Sequence, residues 1–489
     1  MGLIDALEPI LLRMPSVRRP DKHVPFKKKL YWTAGVLVLY FALTNVTVFG
    51  VNVQGDLFGQ FRSILAGAQG SILHLGIGPI VTASIVLQLL DGAEILPIDT
   101  QTPRGQSLYQ GLQKFLVVVM SVLTAAPMVL SGFLGPRRIL GLPLGTVTWI
   151  VFLQVVLGGI LILYMDEIIS KWGVGSGVGL FIIAGISQQL MGGIFDWHSA
   201  GGGGQVADLP TGLLFRWFAI FSGGYQPPFA LSSSQGLWFL LTYGAEILFV
   251  FTTIAIFVVV VYAESVRVEI PLSHSRVKGA RGRYPVKLIY ASVLPLIFVR
   301  AIQANIQMIG QILATRVGMP AWFGVYSQGQ AVSGLMYYLT PIRSPRSWMW
   351  WLPTGPSQDA WQVLLRLLVD AGFLIIGGAI FAVFWVKTAD MGPDAVARQI
   401  QNSGMQIPGF RRNPGIIEKV MDRYIPHITV LGGIILGILA LMANLLGTIG
   451  NVSGTGLLLT ISITYKLYEE IAEEQLMNMH PMMRKMFGD

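Results

Sequence analysis

Six ionisable side chains lie in or beside long apolar stretches of this chain. Glu246, Asp370 and Arg300 fall within or near the apolar runs, while Asp166, Glu167 and Glu264 sit at their ends. In hydrocarbon such groups can bind an ion or a solute, as in secondary transporters, or they can pair across helices and anchor at the interface. Enzyme chemistry finds no foothold. There is no His-Glu-x-x-His, no metal-ligand cluster, and no embedded pair of acidic residues at helical spacing. The run "GVGSGVG" at Gly173–Gly179 superficially resembles a phosphate loop, but it opens an apolar span and not a strand–helix unit. Close helix packing through Gly173, Gly175, Gly177 and Gly179 is the plainer reading.

A second pattern carries no charge at all. "SILHLGIGPIVTASIVLQLL", Ser71–Leu90, is long enough to span a bilayer, yet Gly76, Gly78 and Pro79 fall inside it. Ile77 and Val81 are four apart and share a helical face. Pro79 is tolerated near a helix start, where its missing N–H costs least, and the glycines permit bending and close approach. Upstream, "DLFGQFRSILAGAQG" at Asp56–Gly70 is too short and too polar to span. It reads either as a short re-entrant helix or as an ordinary outer loop before a kinked helix.

The elements that must position these residues are set by composition. Of 489 residues 53% are hydrophobic and only 12% charged, where a soluble protein carries about 25% charged residues. Apolar runs recur along the whole chain without strand-like alternation, so the fold class is an all-α polytopic membrane protein. Ten spans are predicted, near Leu30–Gly50, Ser71–Leu90, Leu112–Phe133, Leu144–Met165, Val174–Ile194, Leu237–Tyr262, Val286–Ile312, Val363–Lys387, Ile428–Gly450 and Gly454–Ile471. The first reads as a retained helix, since no small-residue cleavage site follows it. With no cysteine there is neither a disulfide nor a thiolate metal site.

Ten spans put both termini on one side, and basic residues select it. Arg13, Arg18, Arg19, Lys22 and Lys27 to Lys29, the loop with Arg267, Arg276, Lys278, Arg281, Arg283 and Lys287, and the loop with Arg398, Arg411, Arg412, Lys419 and Arg423 all fall together. Those loops, and both termini, are expected in the cytosol, in a cell membrane. Residues 3, 4, 7, 10 and 11 line one face of an amphipathic helix expected to lie on the membrane surface. Two outer segments, Phe195–Gly236 and Ala314–Gln362, are long; the first, with "GGGG" and "SSS", has the composition of a flexible surface loop.

Two stretches of about twenty positions resemble the SecY family of protein-conducting channels. One is Ser71–Leu90, with Gly76, Pro79, Ala83, Ser84 and Gln88; the other is "YMDEIISKWGVGSGVGLFII", Tyr164–Ile183, with Glu167, Ser170 and Gly173 to Gly177. The likeness covers the whole chain, and "IPLSHSRVKGARGRYPVKLIY" with the ending "YKLYEEIAEEQLMNMHP" looks like the archaeal and eukaryotic branch. The resemblance implies two pseudo-symmetric five-helix halves around a central pore, with a short re-entrant plug helix. Its divisions would be 1–29 as a basic amphipathic segment, 30–236 as the first half, 237–471 as the second with cytosolic loops near 263–287 and 388–426, and 472–489 as a tail.

The resemblance also implies roles. Ile77, Val81, Val178, Ile182, Ile297 and Leu459 match a hydrophobic pore ring, and bare hydrocarbon holds ions and water poorly. The plug falls near 57–68, with Leu57, Phe58, Phe61, Arg62, Ile64 and Leu65; Arg62 departs from a wholly neutral plug. Thr82, Gln113 and Asn305 match a polar cluster at a lateral gate, where signal sequences would compete for the helices. Arg276, Lys278, Arg281, Arg283, Arg411 and Arg412 match a surface for ribosomal RNA on the ribosome. The expected activity is passage of nascent polypeptides across the lipid bilayer, or their release into it, without enzyme chemistry or a cofactor. SecE-type (gamma) and beta single-span subunits would complete a heterotrimer. A secondary transporter of a small solute, using broken helices, is the competing expectation, and a structural membrane scaffold a more distant one.

Overall fold

The computed structural model describes residues 3–22, 24–53, 66–92, 95, 98, 102–130, 134–137, 142–198, 209–225, 233–274, 281–314, 318–327, 330–351, 355–356, 358–389, 391–402, 405–406 and 414–479. Among these, ten helices match the ten predicted spans: α2 (Phe26–Asn45), α3 (Gly78–Gly92), α4 (Pro103–Leu130), α5 (Leu144–Trp172), α6 (Gly177–Phe195), α8 (Ile247–Ser265), α9 (Leu294–Ile312), α10 (Ala360–Thr388), α12 (Pro414–Leu446) and α13 (Gly454–Met479). Between and before them come α1 (Leu3–Leu12), α7 (Leu213–Phe221) and α11 (Pro393–Asn402).

Six of the described helices, α4, α5, α6, α8, α10 and α12, are long and apolar enough to cross a membrane by length and composition alone. The other four are weaker for visible reasons. Three lysines stand at the start of α2, α3 is short, α9 carries Arg300, Gln303, Asn305 and Gln307, and α13 runs into Lys466, Glu469 and Glu470.

Several expected boundaries need correction. Ser71 bridges to Thr47 and residues 72–77 are turns, with Gly70 and Gly76 left-handed (φ 68° and 56°), so the helix begins only at Gly78. The sixth span is broken: a helical turn Ser234–Trp238 runs into a π-helical turn Phe239–Tyr243, Glu246 is left-handed at φ 51°, and α8 starts after it. Helix α1 also has a partner within the bundle. It packs on α4, where Leu11 is buried with Leu87 and Leu112, and Gly111 leaves room for the Leu11 carbonyl.

The spanning elements are helical as expected, and the connections between them add short strands. The first basic loop is a β-hairpin of β3 (Arg267–His274) and β4 (Arg281–Lys287), antiparallel with Arg267 opposite Lys287 and Ser273 opposite Arg281. A short strand of the second loop, Met405–Gln406, pairs with the other edge of β3, Gln406 opposite Ser273. The two basic loops therefore share one three-stranded sheet. Beneath it Ile270 and Val286 pack with Val396, Ala397 and Ile400 of α11 and with Ile417 and Met421 of α12. Other connections hold smaller hairpins, Val51–Val53 with Leu134–Pro136 and Val325–Ser327 with Gln330–Ser333.

One large hydrophobic cluster runs through the bundle, with members on each of the ten helices. The first five of these helices meet the last five chiefly where α3 packs on α9 and α10, and where α6 packs on α13.

Candidate functional site

The six aliphatic residues come from four helix starts. Val81 lies in the first turn of α3, and its N–H bonds the Ile77 carbonyl just outside that helix at 3.0 Å. Val178 and Ile182 are in the opening turns of α6, Ile297 follows Pro295 in α9, and Leu459 follows Gly454 in α13. All of them belong to the central cluster; five are buried, and Val178 is half-buried against it. Beside them is a cavity of about 430 Å³, lined by Val81, Val178 and Ile297 and also by Gln88, Gln113 and Trp385. Gln88 is buried there, its carbonyl oxygen without a hydrogen-bond partner.

Glycine and aspartate build the entry to α6. A Cβ at Gly177 would meet the Asp166 backbone at 2.6 Å, and one at Gly179 would meet Ile463 of α13 at 2.9 Å. The packing reading of this glycine run therefore holds. Asp166 Oδ1 accepts the Val178 N–H at 2.8 Å, so α5 caps the first turn of α6.

Of the three residues matched to a gate, two meet. Asn305 Nδ2 of α9 donates to Thr82 Oγ1 of α3 at 3.2 Å, while the Thr82 hydroxyl donates to the Gly78 carbonyl at 2.9 Å. Gln113 of α4 donates instead to Ser84 Oγ at 3.3 Å.

The embedded ions are partnered within the protein. Arg300 of α9 lies 2.7 Å from Asp370 of α10, both essentially fully buried. Gln303 bonds both, Arg300 reaches Thr455 Oγ1 of α13 at 3.3 Å, and Asp370 Oδ2 accepts the Ile342 N–H at 3.2 Å. Asn444 of α12 holds Thr455 through side chain and backbone. Four helices and a connecting segment thus converge on one ion pair, the cross-helix contact that the sequence allowed. Glu246 is likewise shared, 2.9 Å from Arg216 and 3.1 Å from Arg346.

Sequence reasoning missed a cluster of charges at the end of α5. Glu167 Oε1 receives Lys114 and Lys171, each at 2.6 Å, and the two lysines also donate to the carbonyls of Pro15 and Val17. Trp172 adds a bond to the Arg18 carbonyl at 2.8 Å. The i, i+4 spacing of Glu167 and Lys171 was the available signal.

Other expected sites are reached only at their borders. Leu57, Phe58, Phe61, Arg62, Ile64 and Leu65 lie outside the described residues, as do Arg276, Lys278, Arg411 and Arg412. Arg281 and Arg283 stand on β4. At the edge of the first segment, buried Tyr40 of α2 donates to the Ala66 carbonyl at 2.9 Å and stacks on Phe181 of α6, ring centroids 5.0 Å apart. Among the described residues no group of three or more His, Cys, Asp or Glu could hold a metal ion.

Comparison with known proteins matches residues 71–468 to the SecY family and residues 38–70 to the plug domain of Sec61p. The chain is 65% identical over 497 residues to the protein translocase subunit SecY of Halobacterium salinarum, covering 100% of this chain and 99% of the relative. A solved structure described as a protein-conducting channel superposes with a TM-score of 0.78 at 38% identity, over 97% of this chain and 98% of that one. Sec61 from a canine ribosome–channel complex of the endoplasmic reticulum gives 0.75 at 38% identity, with the same coverage. These likenesses lend no support to a solute transporter.

Proposed function

The chain belongs to the SecY family, and we infer from this that it is the central subunit of a protein-conducting channel, moving secretory polypeptides across the membrane and releasing hydrophobic helices through a lateral gate. One structural observation carries the residue-level reading: aliphatic side chains from four helices gather in one cluster, beside a cavity bordered by the α3–α9 seam. Ile77, Val81, Val178, Ile182, Ile297 and Leu459 are assigned to the ring that seals the pore. Hydrocarbon suits that task because it offers an ion no replacement for its hydration shell and a passing chain no sticky contact.

Thr82 and Asn305 are assigned to the gate, with Gln113 close by on Ser84. A signal helix that supplies equal packing can displace a single neutral hydrogen bond. The plug is assigned to 57–68. The basic loops, joined through their common sheet, are assigned to the ribosome, as the Sec61 relative in its ribosome complex suggests. Energy for transport then comes from translation. SecE-type and beta single-span subunits complete the assembly, in a cell membrane with both termini cytosolic.

A photoreactive residue in place of Ile182 tests this directly, with a stalled ribosome–nascent secretory chain docked on membranes holding the protein. The expected result is a crosslink to the nascent chain that disappears when its signal sequence is removed. Silence from a competent probe in a docked complex would overturn the ring assignment.

A further inference from the structure

The nine-residue helix α7, "LLFRWFAIF", is apolar on both sides. Its inner stripe is accounted for. Leu213 and Ile220 are buried, and Ile220 and Trp217 pack with Leu209, Phe239 and Ala245. Trp217 donates to the Ala245 carbonyl at 2.6 Å. Arg216, the helix's one charge, is buried and turned inward to the carbonyls of Pro210, Thr211 and Gly244 and to Glu246.

The outer stripe is Leu214, Phe215, Phe218 and Phe221, spaced as one helical face and all exposed, Phe218 at 73% and Phe221 at 66%. Four large apolar side chains presented together, with no charge among them, mark an interaction surface. Its position says what covers it. The Gly212 N–H bonds the Asp196 carbonyl at 2.7 Å, so α7 begins against the residue that follows α6. The last turns of α6 expose Met191 and Phe195, and Trp197 comes next; across the inner contact, α8 exposes Phe251 and Ile254. The outer stripe thus lies beside the end of α6, whose own exposed side chains there are large and apolar.

We propose that α7 is an interfacial helix, held in place by Arg216 and Trp217, with Leu214, Phe215, Phe218 and Phe221 seated in the membrane leaflet where α6 ends. Aromatic side chains favour that depth, and a short helix with one apolar face lies there without spanning. The helix would hold this end of the α6–α8 connection at a fixed level.

The chain has no cysteine, so F218C and F221C each place a single nitroxide on the full-length protein with no other change. In phosphatidylcholine–phosphatidylglycerol bilayers, oxygen is expected to relax both labels several-fold more effectively than a water-soluble nickel chelate. Chelate relaxation equal to or above that of oxygen would place the face in water and overturn the proposal. A label shielded from both reagents would show the face covered by protein, a second copy or another subunit, and would overturn it equally. L214C on the same stripe repeats the test should one variant assemble poorly.

Discussion

Asn305 and Thr82 join α9 to α3 by a hydrogen bond of 3.2 Å, at a seam where the first five and last five spanning helices pack together. Interhelical hydrogen bonds in membranes average about 0.6 kcal/mol, which corresponds to a factor of roughly three in an equilibrium. Replacing Asn305 by Ala, or Thr82 by Val, is expected to raise the open-gate population by about that factor. Secretory chains with weakened signal sequences should then cross better. Unchanged transport of such chains by either variant would count against a gating role.

Substituting Gly for Ile77, Val81 and Val178 removes three branched side chains from the central cluster. Small-ion conductance of reconstituted vesicles is expected to rise well above that of the parent protein. Equal conductance at equal protein content would refute the seal.

The Arg300–Asp370 pair predicts an asymmetric mutational pattern. Removing one partner strands the other charge in the core, costing about 3–5 kcal/mol, whereas replacing both by apolar residues is far milder. R300M and D370L should each lower thermal stability sharply, while the double variant recovers most of it. Additive losses would mean that the pair is not coupled.

Charge reversal at Arg281 and Arg411 is expected to weaken ribosome binding, with a shallower dependence on salt than the parent shows. An affinity indifferent to both the substitution and ionic strength would remove the basic loops from the docking surface.

Asp196 supplies a pH signature outside the spans. The His198 backbone N–H, its ring and the Thr211 hydroxyl hold this carboxyl down at about 2. A depressed folded pKa gives stability that is present above the unfolded value of about 3.9 and lost as pH falls towards 2. Hydrogen exchange around Thr211 should therefore accelerate below about pH 4 in the parent protein. D196N should show fast exchange at neutral pH and no such transition, and parent-like protection in that variant would contradict the role.

What could be read in advance follows physical lines. Long apolar runs announce helices whatever their neighbours, so all ten spans were legible. Their ends were not, because α3 waits for Gly78 and α8 for the turn at Glu246, where backbone conformation overrules hydropathy. The contact of Thr82 with Asn305 was anticipated through the family likeness, since no spacing links residues so far apart. Arg300 and Asp370 were each visible as embedded ions, but only the packing of α9 on α10 reveals that they neutralise one another. The hairpin of the first basic loop was hidden by Gly, Pro and Arg, which obscure alternation. Helix α7 escaped notice because nine residues, one of them Arg216, are too few to span.

The shared sheet of the basic loops has a mechanical meaning. Strand β4 ends at Lys287, Glu469 of α13 binds both Lys287 and Arg267 at the foot of the hairpin, and after a short turn the chain enters α9. Whatever grips the hairpin grips a lever whose fulcrum is Glu469 and whose far arm is the helix bearing Ile297 and Asn305. A load applied to the hairpin need not travel through the lipid to be felt at the seam. The covalent path from the hairpin to that seam is the short run from Lys287 to Leu294.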